Sequence, residues 1–165
     1  MQQPTIVEKP ELKLIGLAAP FVSGLSPESN NFCVIGPLWE KFGPLAGQIP
    51  NRAGGDMIGA IFELPADRKL HPHELLYLAA VPVSSTDSLP EGMVWRTIPA
   101  TTYAVFIHRG PITGIASTCG EIYREWLPQS GYEHSDIADI EVYDHRFCPD
   151  SEDSEVEYWI SVRKK

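Results

Sequence analysis

One order of elements occurs twice along this chain, and that repetition limits the fold more than any single motif. Thr5 to Glu8 and Leu12 to Ala18 read as strands separated by Lys9-Pro10-Glu11, while Met93 to Ile98 and Thr101 to Arg109 read as strands around Pro99. Each pair leads through a turn into a stripe of apolar residues at helical spacing. The first stripe runs from Ile35 to about Gln48 with Leu38, Trp39, Phe42 and Leu45, and the second covers 112–127 with Ile115, Cys119, Ile122, Tyr123 and Trp126 on one face. Pro37 fits the first turn of its helix, where a missing N–H costs little, whereas Pro44 strains the last turn. Two strands then close each series: Met57 to Glu63 and Leu75 to Val83, followed in the second half by Ile137 to Phe147 and Val156 to Val162. Fifteen prolines and 13 glycines keep the elements short, and residues 84–91 are the most linker-like stretch. The duplication predicts an α+β fold of two modules, about 1–84 and about 92–165. The modules pack side by side within one domain of 1–165, with a groove at their junction.

Composition narrows the function. A chain of 165 residues, 43% hydrophobic and 21% charged, can bury a core without disulfides or a metal. Its formal charge of −9 argues against general affinity for nucleic acid, which needs a basic surface, and leaves cationic ligands, neutral ligands and protein partners open. Cys33, Cys119 and Cys148 lie far apart and read as reduced thiols. The start, Met1-Gln2-Gln3-Pro4, lacks the basic and apolar regions of a signal peptide, and no apolar run reaches the roughly 20 residues that span a membrane. A cytoplasmic protein without a cofactor is the expectation.

Few residues invite chemistry. In Asp139 to Asp144, Ile140 and Val142 point one way, Glu141 and Tyr143 the other; in the closing strand Val156, Tyr158 and Ile160 oppose Glu157 and Trp159. Paired on one face, Glu141, Tyr143, Glu157 and Trp159 would form a cage for a flat, apolar or cationic ligand. The alternative is a solvated strand whose acids discourage edge pairing. The five histidines include His71-Pro72-His73, which lacks a third ligand at zinc spacing, so they read as loop residues and no metal is expected. Nothing sets a thiol beside a base, and Gly54-Gly55 lacks the framework of a phosphate loop.

Taken together, these segments resemble the GyrI-like small-molecule-binding domains, the effector-binding domains of bacterial transcription activators. The resemblance rests on Ile98-Pro99-Ala100, Tyr103-Ala104-Val105-Phe106, His108-Arg109-Gly110-Pro111, Glu125 through Tyr132 (EWLPQSGY) and Glu141-Val142-Tyr143-Asp144. Ile6 through Pro10 and Gly59 carry it in the first half. It implies duplicated strand–helix–strand–strand modules related by a pseudo-twofold, with antiparallel sheets around a central groove. It also implies a stand-alone form without direct nucleic-acid binding, whose partner is a lipophilic, cationic or aromatic small molecule. The family's pocket carboxylate falls on Glu141, with Tyr143 on its face. Face and aromatic character extend the candidate pocket to Tyr103, Trp126, Glu157, Trp159, Trp39 and Phe62, although for Trp39 and Trp126, on helical apolar stripes, a core role is the favoured reading. Two further readings remain beside ligand capture. One is a hydrolase opening cyclopropane-bearing toxic compounds, with Glu141 as its catalytic carboxylate. The other is a protein-docking modulator of a topoisomerase.

Overall fold

The structure, a computed structural model, describes residues 3–165; Met1 and Gln2, part of the stretch read as lacking a signal peptide, lie outside the described residues. Among the described residues nine antiparallel strands form, at β1 (Thr5–Lys9), β2 (Leu12–Val22), β3 (Met57–Glu63), β4 (Glu74–Val83), β5 (Val94–Ile98), β6 (Thr101–Arg109), β7 (Tyr132–His134), β8 (Ala138–Tyr143) and β9 (Glu155–Lys164). Eight of them lie in the order β1-β6-β9-β8-β3-β4-β2-β5, and short β7 pairs with the end of β9. The two modules therefore meet along the β8–β3 seam at the middle of the sheet.

The strand–Pro–strand units do not fold back on themselves. β1 pairs with β6 of the other half, Lys9 facing Thr101, and β5 pairs with β2, Ile98 facing Leu12. The two modules thus exchange their first strands, in matching register. Only Pro10 and Glu11 join β1 to β2, and only Pro99 and Ala100 join β5 to β6, although each joined pair lies at opposite ends of the strand order. Such short links reach across only if the twisted sheet curls strongly on itself. The inner face of that curl holds a core made from strands and no helix, with Leu14, Ile58, Ala60, Leu78, Ala80, Ile98, Tyr103, Ile140 and Val142 buried together.

The helices cover the other face. α1 (Asn31–Phe42) packs Phe42 into the cluster of Ile15, Phe21, Tyr77, Ala79 and Val81. It starts four residues before the sequence stripe suggests, so Pro37 lies inside the helix and not in its first turn. The chain beyond tightens into a 3₁₀ segment, Gly43–Gln48, as befits the proline at its second position. α2 (Ile115–Glu121) follows a 3₁₀ turn at Ile112–Gly114 and continues through a wide π turn, Ile122–Trp126, into α3 (Leu127–Gln129). Pro128 accounts for the widening, since its ring would clash with the carbonyl four residues back in a regular helix. Ile115, Ile122 and Trp126 bury against Ala104, Phe106, Val156, Tyr158 and Ile160.

The expected strand from 137 to 147 ends at Tyr143, because Asp144 starts a turn in which Phe147 N–H bonds the Asp144 carbonyl at 3.1 Å. β7 went unforeseen. Among the described residues no helix is long and apolar enough to cross a membrane.

Candidate ligand-binding site

The two helices stand over the outer halves of the sheet and leave a groove of about 1380 Å³ between them, above the β8–β3 seam. Glu141 lies in its floor. Alternation along β8 sends Asp139, Glu141 and Tyr143 toward the helices, while Ile140 and Val142 enter the strand core. Glu141 is 6% exposed. Its Oε2 accepts hydrogen bonds from the Tyr77 hydroxyl at 2.6 Å and the Tyr143 hydroxyl at 2.7 Å. The Trp39 indole N–H in turn donates to the Tyr77 hydroxyl at 3.0 Å, tying α1 to the floor.

Among the described residues no hydrogen bond reaches Glu141 Oε1, and no Lys, Arg or His pairs with the carboxylate. Burial pushes the Glu141 carboxyl above its ordinary range; the two tyrosine hydroxyls pull it part of the way back, and the charge of Asp139 adds to the rise. Opposite Glu141 on β3 is Gly59, where a side chain would have filled the space that the Tyr77 hydroxyl takes up.

Aromatic and apolar side chains form the walls. Trp39 meets Tyr143 edge-on with ring centroids 5.4 Å apart, and Phe147 packs on Tyr143 at 4.7 Å. Ile61 lies in the floor, and Ile115, Cys119 and Tyr158 line the α2 side. Burial, with the charge of Glu141, pushes the Cys119 thiol up to about 12, so it serves as wall and not as thiolate.

A second polar cluster lies two residues along β8. Asp139 accepts from the Tyr123 hydroxyl, from Ser161 N–H at 3.2 Å and from the His134 ring at 3.0 Å. Burial works against a charged His134, but the bond and charge of Asp139, with help from Asp136, outweigh it and raise its pKa. The π turn aims Tyr123 at Asp139, which makes this acid a satisfied partner of three donors.

The structure brings Glu141, Tyr143, Trp39 and Phe62 to the groove. The remaining four candidates lie outside its lining. β8 pairs with β9 so that Glu141 faces Tyr158, while Ile140 faces Trp159 and Val142 faces Glu157. Directly opposed residues share a face, so Trp159 and Glu157 lie on the opposite side of the sheet from Glu141. Trp159 packs on Tyr103, with Lys9 4.2 Å above its ring, and Glu157 accepts from Arg146 at 2.8 Å and from the Trp159 indole at 2.8 Å. Tyr103 is buried in the strand core, and its hydroxyl finds no partner among the described residues. Trp126 is core, edge-on to Phe106 at 5.1 Å. Sequence reasoning missed Tyr77. The signal available was a hydroxyl-bearing aromatic inside the apolar run of β4, which needs a buried partner.

Two helices flanking a carboxylate-floored groove at the pseudo-twofold of a duplicated antiparallel sheet define a ligand-binding domain. The chain belongs to the GyrI-like small molecule binding domain family, whose model matches residues 2–163. It is 32% identical to the transcriptional regulator BrlR of Pseudomonas aeruginosa over 158 residues, 95% of this chain and 54% of that protein, so it spans about half the relative's length. Solved structures share the fold. SAV2435 bound to tetraphenylphosphonium matches with a TM-score of 0.76 at 14% identity, covering 98% of this chain and 94% of that one. The EcmrR C-terminal domain matches with a TM-score of 0.67 at 17% identity, covering 99% and 98%.

Proposed function

We propose that this protein captures lipophilic cations in the groove between α1 and α2, with Glu141 as counter-charge and the aromatic walls as the apolar contact. One observation carries the reading: a buried carboxylate, held by two tyrosine hydroxyls and by no basic side chain among the described residues, at the floor of an aromatic-walled groove. An unpaired buried charge is costly, and a ligand cation is what offsets it. Cations also favour aromatic faces, which Trp39 and Tyr143 supply. The fold neighbour bound to tetraphenylphosphonium supports this ligand class.

Ligand capture is preferred here to hydrolysis. Both tyrosine hydroxyls nearest Glu141 already donate to it, which leaves neither proton directed at a strained ring. Crystals soaked with tetraphenylphosphonium test the site. Density between the helices over Glu141 is the expected result, and an empty groove with the compound bound elsewhere would contradict the assignment.

A further inference from the structure

Building on the cation-binding reading, we propose that the groove selects cations with the charge at the middle of the molecule and an apolar arm on either side, over cations charged at one end. The place of Glu141 in the sheet carries the inference. β8 and β3 are the central strands of the order, and Glu141 faces Gly59 across their seam. α1 packs over β2 and β4 on one side of that seam, and α2 packs over β6 and β9 on the other. The open carboxylate oxygen therefore lies midway along the floor, and not at a closed end.

Apolar wall extends from it in both directions. Phe21, Trp39 and Met57 line the arm toward α1, while Ile115, Cys119 and Leu127 line the arm toward α2. The second buried acid, Asp139, lies two residues along the same central strand, and its oxygens are taken by Tyr123, Ser161 and His134, which leaves Glu141 the more open of the two. The groove's volume, about 1380 Å³, also exceeds the roughly 300–1,000 Å³ common for small-molecule pockets, which suits two arms better than one. A ligand charged at its end can put its head over Glu141 and fill one arm only. The other wall then stays wet, and each methylene kept off it forgoes roughly fourfold in affinity.

Two constitutional isomers separate these geometries at equal charge and equal carbon count: dihexyldimethylammonium, charged at its centre, and undecyltrimethylammonium, charged at its end. Calorimetric titration of the full chain should find the dihexyl compound bound at least about tenfold tighter. Ala116→Trp, which fills the α2 arm from the groove lining, should bring that ratio toward one by weakening the dihexyl compound. Equal affinity for the isomers, or tighter binding of the undecyl compound, overturns the two-armed geometry and leaves the cation reading standing. Absence of binding by both overturns the cation reading, and this inference with it.

Discussion

Tyr77 of β4 donates to Glu141 of β8 across 2.6 Å, and the bond passes over Gly59 of the strand between them. A Cβ at position 59 would lie 2.1 Å from the Tyr77 hydroxyl oxygen and 2.7 Å from Glu141 Oε2. Gly59→Ala therefore has to break this bond or displace β4 from β8. It should cost about 1–3 kcal/mol of stability, from overpacking and from a buried hydroxyl left unpaired, and it should weaken cation binding. Urea denaturation and calorimetry check this together; an unaltered variant would show that the tyrosine–carboxylate contact is not needed.

Protonation of Glu141 gives a second prediction. Its pKa is raised in the folded chain and ordinary in the unfolded one. Between the two values the folded chain keeps a proton that the unfolded chain has released, so this group's contribution makes stability fall as pH rises through that window. Cation affinity should rise over the same window, because the ionised form attracts the ligand. Comparing wild type with Glu141→Gln from about pH 4 to about pH 8 isolates the group. The stability of wild type relative to the variant should decline with rising pH, and a flat difference would contradict the burial argument.

His134 responds in a related way for a different reason. Its raised pKa means that its contribution to stability is full below the ordinary value near 6.5 and is lost as pH rises through the raised one. Asp139→Asn removes the charge that outweighs burial, so the imidazole should then titrate below about 6.5. An NMR titration of the ring reads this directly, and a value still above the ordinary one would place the cause elsewhere.

The duplication and the order of two strands, a helix and two further strands in each half were legible in the sequence because period and proline placement are local signals. So was the face of Glu141 and Tyr143, since alternation within β8 needs no partner. The partner's register is another matter. Whether Tyr158 or Trp159 stands beside Glu141 depends on how β9 lies against β8, and a one-residue difference exchanges the two faces of the strand. The strand exchange between β1 and β5 was hidden for a similar reason. A two-residue link reads as a hairpin, and only the curl of the whole sheet makes it a crossover. Tyr77 and Tyr123 were concealed within apolar stripes, where the hydroxyl's partner is a tertiary matter.

That register yields a fourth prediction. Glu157 is held by Arg146 and the Trp159 indole away from the groove, so Glu157→Gln should change cation affinity by less than about twofold. A loss comparable to that of Glu141→Gln would mean that both faces of the sheet take part in binding.

The most direct test of the central claim is the calorimetric affinity of tetraphenylphosphonium for the wild-type protein and for Glu141→Gln at neutral pH. Removing the open buried carboxylate of the groove floor, while keeping its shape, should weaken binding at least about tenfold, or about 1.4 kcal/mol, with no loss of folded stability. Unchanged affinity in a folded Glu141→Gln protein would contradict the account.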